Sequence, residues 1–244
     1  MKIEFDEKSH TYTIDGEVVM GVTSVLDMFP KGWLVGWSCK MMAEHILSKL
    51  KGIGETPSMQ EIESLVLKGK TAWREKRDSA ADTGTDIHAI FEDIINGKVV
   101  TVKDDISKCV DQFFEFQKKY KPKWIATEQI VGHKELRYCG TFDALAEIEG
   151  KVYLIDFKTS TSVKDSFSIQ LLAYKKAHES MGKTPKVDKM AVLWTPKEGD
   201  KYEFVVYDKD EKLEWNLFKS ALAFCNYFKI WDSMGKKYYR EKKK

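Results

Sequence analysis

The spacing of apolar residues changes character along this chain. Residues 2–20 alternate apolar and polar positions around the turn signal "IDGE" at 14–17, the pattern of a small β-hairpin. "WLVGWSCKMMAEHILSKLKG" has helical spacing and ends near Gly52, and "TPSMQEIESLVLKG" predicts a second helix, starting at Thr56/Pro57 and ending near Gly69. "TAWREKRDSAADTGTDIHAIFEDIINGK" predicts two helices broken at Gly84, the second capped by Thr85 and stopped at Gly97. "KDDISKCVDQFFEFQKKYKP" is a further amphipathic helix, stopped by Pro122. A period of two then returns in "WIATEQIVG", "LRYCGTFDALAEI" and "KVYLIDFK", three strands with turn signals near "GHKE" and "EGK". "VKDSFSIQLLAYKKAHESMG" predicts a helix, "VDKMAVLWT" and "KYEFVVYD" predict strands joined by a turn at Pro196/Gly199, and a last helix runs from about 210 to 233. The order implies an α/β (α+β mixed) fold, a mixed sheet flanked by helices. Three regions are expected: a hairpin and helical region over 1–80, a core over 81–235 and a basic tail over 236–244.

Composition narrows this little. The 244 residues are 43% hydrophobic and 12% aromatic, enough for a substantial core. No apolar run reaches the roughly 18 residues of a membrane span, and "MKIEFDEKSH" lacks the apolar stretch of a secretory leader. A cytoplasmic protein is expected. The net charge of +2 announces no general affinity for nucleic acid, so any basic surface must be local. Cys39, Cys109, Cys139 and Cys225 are scattered without a C-x-x-C pair, which disfavours structural zinc and predicts reduced thiols.

The charges inside the strands change the picture more. A two-residue turn at 149–150 makes Ile148 face Lys151, and counting back sets Asp143 opposite Asp156. Like charges so placed repel. The strand period puts Leu154, Asp156 and Lys158 on one face and Tyr153, Ile155 and Phe157 on the other. Two carboxylates converging beside an ammonium are costly unless a cation fills the gap. Mg²⁺ suits one or two carboxylates with room left for phosphate oxygens. The plainer reading is an ion pair of Asp156 with Lys158 at a strand end. A lone histidine among apolar neighbours, as His88 is, is more often a core residue than a ligand, and Gln170 with Tyr174, at i and i+4, reads as packing.

In this order, "GTDIH", "GTFDAL", "LIDFK" and "QLLAY" resemble the RecB-like branch of the PD-(D/E)XK nucleases over roughly residues 80 to 180. "HTYTIDGEVVMGVTSVL" is similar to the opening of phage-encoded and mitochondrial genome-maintenance exonucleases of that branch. The resemblance implies a restriction-endonuclease-like core and a metal-dependent deoxyribonuclease leaving 5′-phosphates and 3′-hydroxyls. It implies His88, Asp143, Asp156 and the backbone carbonyl of Phe157 as ligands of one or two Mg²⁺ or Mn²⁺ ions. Lys158 would orient the attacking water, and Gln170 and Tyr174 would position substrate or nucleophile. Glu128 and Glu92 are further acids that would surround the ligands. Related enzymes with an iron–sulfur cluster carry a tight C-terminal cysteine group; here only Cys225 follows Cys139, so no cluster is expected.

The implied substrate is DNA, as single strands or ends, in phage-type recombination or DNA processing within a phage or bacterial host cell. A recombination or single-strand-binding protein is the implied partner, and no membrane. An endonuclease on the same core, and a catalytically idle DNA-binding or adaptor module, are the alternatives. Arg74 and Arg77, one helical turn apart, read as phosphate contacts or as a solvated face. Thr159 and Ser160 read as phosphate donors or as caps of the following helix, and Thr23 and Ser24 are open to the same two readings. Trp33, Trp37 and Tyr12 read as base-stacking or as core residues.

Overall fold

The computed structural model describes residues 1–52, 56–199, 201–208 and 210–228. The basic tail and the expected helix end beyond 228 lie outside them. Among the described residues, eight strands form one mixed sheet flanked by helices. β1 (Ile3–Asp6), β2 (Thr11–Ile14) and β3 (Glu17–Gly21) form an antiparallel meander, one strand more than the expected hairpin. β3 joins the main sheet through a short parallel pairing, Met20 with Tyr138 and Gly21 with Cys139. β4 (Lys123–His133), β5 (Tyr138–Ile148) and β6 (Lys151–Lys158) are antiparallel neighbours. β6 then pairs in parallel with β7 (Lys189–Trp194), which pairs antiparallel with β8 (Glu203–Tyr207). No described helix is long and apolar enough to cross a membrane.

The sheet separates two apolar layers, as the alternation along β6 requires. Leu154 packs with Tyr138, Phe142, Leu171, Val192 and Phe218 toward α6 (Ser166–Ser180) and α7 (Glu211–Tyr227). Ile155 and Phe157 pack on the other face with Phe91, Phe113 and Leu193, beneath α4 (Ala72–Ile95) and α5 (Ser107–Tyr120). Removing large side chains of this kind from water, at about 25 cal/mol per Å² of apolar surface, is the main force holding helices to the sheet.

The chain divides into two compact units, cut differently from the sequence boundaries. One contains residues 1–29 and 87–244, so the N-terminal meander belongs with the sheet; the other contains residues 30–86. In the second unit, α2 (Trp33–Leu50) packs on α3 (Met59–Gly69). A Cβ at Gly69 would lie 3.2 Å from Met42 and 3.3 Å from Ile46, so glycine permits this close approach. The N-cap of α3 is Ser58 rather than Thr56, because Ser58 and Glu61 form a reciprocal capping box.

α4 differs most from expectation. It is one continuous helix through Gly84, and Thr85 does not cap a second one. The Thr85 hydroxyl donates instead to the Ala81 carbonyl, and Thr83 donates likewise to Ser79. Glycine lowers helix propensity by only about 1 kcal/mol, which a 24-residue helix absorbs.

Candidate metal centre

The site lies where the sheet forks. β5 pairs with β4 along nearly its whole length, but its other edge is shared. Residues 144–148 pair with β6, and residues 138 and 139 pair with β3. The register is the expected one: the turn has left-handed φ at Glu149 (51°) and Gly150 (75°), and Ile148 faces Lys151. The ladder ends at Ala144 with Ile155, so Asp143 and Asp156 sit one step past its last pair. There the Asp143 carboxylate takes over from the backbone, accepting from the Phe157 N–H at 2.5 Å.

The face alternation of β5 also turns over here. Tyr138 and Phe142 lie on the α6 side, whereas Ala144 and Ala146 lie on the α5 side. Glu128, the residue of β4 between the pairs flanking Asp143, has a left-handed φ of 45°. Such a backbone is uncommon outside glycine and accompanies functional sites when the surroundings enforce it.

Three side chains converge at the turnover. One ligand atom each from His88, Glu128 and Asp143 lie within 4.8 Å of one another. His88 comes from α4, and its Nδ1 stands 3.5 Å from Asp143 Oδ1. Phe157 meets the imidazole edge-on at 6.0 Å between centroids. Glu128, expected as an acid around the ligands, stands in this converging group, while Asp156 is outside it. Glu92, one turn after His88, accepts from the Thr127 hydroxyl at 3.3 Å and so links α4 to β4 beside Glu128.

Asp156 is buried at 2% exposure and pairs with Lys158, whose side chain is 19% exposed. The Lys158 ammonium also lies over the Phe167 ring at 5.1 Å. Gln170 and Tyr174, both buried on α6, are joined by a hydrogen bond of 3.0 Å from the amide to the phenol.

The charges shift one another in opposite directions. Burial would lower the His88 pKa, but the Asp143 carboxylate outweighs it by charge and hydrogen bond and holds the imidazole above its ordinary value. Burial would raise Asp143; the charge and hydrogen bond of His88, then Lys158 and the Phe157 N–H, hold it low instead. Burial pushes Asp156 up to about 6, with Lys158 opposing and Asp143 adding to the rise. Lys158 is held above its ordinary value because Asp156 and Asp143 outweigh its burial. Glu128 is an exposed residue whose carboxyl end reaches into the cluster; burial of that end, then the Asp143 charge, push it up to about 7. Burial keeps Tyr174 protonated far into the alkaline range.

α6 is capped at Asp165, so Thr159 and Ser160 do not cap it; Ser160 donates to the Ser162 carbonyl. Thr23 and Ser24 lie in the short helix α1 (Val22–Leu26), whose N-cap is Gly21. Arg74 and Arg77 belong to the second unit, as does Trp37. Tyr12 is buried, and its hydroxyl bonds to Thr141 at 2.8 Å, two residues before Asp143. Neither Thr141 nor Gly140 stood out in the sequence. A Cβ at Gly140 would collide with the Tyr174 ring, so glycine here lets Tyr174 lie against β5. A glycine inside a strand pattern was the available signal of such an approach.

No family model and no curated protein matches the chain. Among solved structures it is similar to SSO0001, at 13% identity and a TM-score of 0.36 over 75% of this chain and 84% of that one. It is also similar to an alkaline exonuclease, LHK-Exo, from Laribacter hongkongensis, at 7% identity and a TM-score of 0.38, covering 66% of this chain and 84% of that one. LHK-Exo in complex with dAMP matches at 12% identity and a TM-score of 0.36 over the same shares.

Proposed function

We propose that the chain is a divalent-metal-dependent deoxyribonuclease of RecB-like type, hydrolysing phosphodiester bonds in single strands or at DNA ends. The observation that carries this reading is the convergence of His88, Glu128 and Asp143 within 4.8 Å at the sheet fork, beside the Asp156–Lys158 pair. The donor set fits the ion: two carboxylates suit Mg²⁺, and the imidazole nitrogen admits Mn²⁺. His88, Glu128 and Asp143 would hold the ion, and Asp156 and the Phe157 carbonyl would be further donors from β6. A bound divalent ion polarises the phosphoryl group and lowers the pKa of a bound water.

The remaining side chains divide the other tasks. Lys158, kept charged by Asp156 and Asp143, orients the attacking water and meets the negative charge that builds on the phosphate. Asp156 fixes the ammonium in place. Tyr174 stays neutral, and Gln170 holds its phenol, so this pair positions substrate by hydrogen bonding alone. Glu92 steadies β4 against α4 through Thr127. A single-strand-binding or recombination protein is the class of partner that would deliver such a substrate.

The test is a cleavage assay on end-labelled single-stranded, duplex and closed-circular DNA with Mg²⁺, Mn²⁺ or EDTA. Metal-dependent loss of linear DNA with the circle left intact is expected. Cut circles would move the assignment to an endonuclease on the same core. Cleavage unaffected by Asp156→Ala and Lys158→Ala, or binding without metal-dependent cleavage, would overturn the nuclease reading.

A further inference from the structure

We infer that the second unit carries a binding site for single-stranded nucleic acid, built on Trp73 with Arg74, Arg77 and Trp37. This deepens the nuclease reading, and rests on it for its biological sense, but it is argued from side chains the cleavage chemistry does not use. Trp73 is half-buried near the start of α4. The guanidinium carbon of Arg74 lies 5.4 Å from its ring centroid and that of Arg77 lies 5.2 Å away. Trp37, from α2, meets the same ring edge-on at 6.4 Å.

Two guanidinium groups on one indole are more than packing requires. An exposed cation–π contact contributes only about 0.5–1 kcal/mol, and one arginine stem is enough to cover a tryptophan edge. Together the groups offer what a single strand presents: an aromatic face for a base and planar cations for the flanking phosphates. The local charge agrees. Residues 68–77 contain Lys68, Lys70, Arg74, Lys76 and Arg77 against the single acid Glu75. Arg77 is paired with Asp78 through Nε and Nη2 at 2.8 and 2.6 Å, which fixes its orientation and leaves other N–H donors for a phosphate. Its side chain remains 56% exposed. A duplex stacks its bases inward and presents no free base face, so the chemistry selects an unpaired strand.

The experiment titrates a fluorescein-labelled deoxythymidine oligonucleotide with the full chain in EDTA, where cleavage is off, over a salt series. Trp73→Ala is expected to weaken binding on the order of 10-fold, and Trp73→Phe to retain most of it. Arg74→Gln with Arg77→Gln is expected to flatten the salt dependence by about 1.4 in slope, at roughly 0.7 for each phosphate no longer neutralised. Wild-type affinity in Trp73→Ala, or an unchanged slope in the double arginine variant, overturns the site. Should Trp73→Ala fail to fold, the phenylalanine and arginine variants decide the question alone. A chain that binds the oligonucleotide through these residues yet never cleaves with Mg²⁺ or Mn²⁺ keeps this site and loses the nuclease reading.

Discussion

The two ends of the β5–β6 hairpin use the same pair of strands for opposite purposes. At the closed end, Ile148 faces Lys151 and the ladder runs to Ala144 and Ile155 with apolar residues on both faces. At the open end the strands part, and Asp143, Asp156 and Lys158 occupy the fork with His88 and Glu128. The closed end satisfies its backbone by ladder hydrogen bonds; the open end uses a carboxylate for the Phe157 N–H. A sheet can therefore gather charge in its interior where its own hydrogen bonding stops, because side-chain acceptors are needed there anyway.

The contrast predicts that stability and activity separate along one hairpin. Asp143→Asn keeps an acceptor for Phe157 but loses the charge facing His88. Cleavage should fall by roughly 10²–10³-fold, the usual cost of removing one electrostatic contributor, while thermal unfolding drops less than at the closed end, because losing the attraction to His88 is partly offset by relief of the repulsion with Asp156 and Glu128. Ile148→Ala at the closed end should do the reverse. It empties a buried position in the apolar layer, costs about 2–5 kcal/mol of stability, and leaves activity per folded molecule near wild type. Denaturant midpoints with single-turnover cleavage on both variants check this, and equal activity losses would erase the distinction.

Gly140→Ala attacks β5 just beyond the open end. The new methyl would collide with the Tyr174 ring. Overpacking of this kind costs about 1–3 kcal/mol, and it should also lower cleavage, because Tyr174 must move. A second substitution, Tyr174→Leu, should recover stability without recovering cleavage. Recovery of both would mean that Tyr174 only fills space.

Much of this geometry was legible in the sequence because it follows from strict periods. The hairpin register and the two faces of β6 needed only a count of two and a two-residue turn. Gln170 and Tyr174 needed only the i, i+4 spacing of a helix. What escaped depends on departures from periodicity. Glu128, expected as an acid around the ligands, joins His88 and Asp143 through a left-handed residue inside a strand and a turnover of β5, and neither of those two backbone features has a periodic pattern. Gly84 misled because its local cost is small beside the long helix that carries it. Tyr12 reaches Thr141 across 129 positions, beyond any window of local pattern.

The open end should also respond to pH as the closed end cannot. Both His88 and Glu128 must lose a proton to bind a metal; Asp143 holds the first high, and the second is pushed up to about 7. Mn²⁺ binding should release one to two protons at about pH 6.5, and apparent affinity should rise roughly 10–100-fold from about pH 6 to about pH 8, then level off. Without metal the signs differ by group. His88 stabilises fully below its ordinary value of about 6.5 and loses this as pH rises through its raised one. Asp143 stabilises above about 3.9 and loses this as pH falls through its lowered one. The burial costs of Asp156 and Glu128 are complete above about 6 and about 7 and are relieved as pH falls. The metal-induced rise in melting temperature should therefore widen from about pH 6 to about pH 8. Calorimetry in two buffers of different ionisation enthalpy counts the protons, and none released would exclude His88 and Glu128 as the ligands.

The smallest effect is expected at Thr127, where α4 and β4 are tied. Its hydroxyl bond to Glu92 is long, at 3.3 Å and only part-buried, so its loss should cost under about 1 kcal/mol. Valine is the better strand former, which offsets even that. If Thr127 merely occupies the strand, Thr127→Val leaves every property of the site unchanged. If the bond sets the distance between the helix bearing His88 and the strand bearing Glu128, Mn²⁺ affinity should fall roughly 2–5-fold at constant melting temperature, about the size of one weak hydrogen bond. Thr127→Ser, which restores the hydroxyl without the methyl, should bring the affinity back. Serine behaving like valine would assign the loss to packing and free the cluster from any dependence on Glu92.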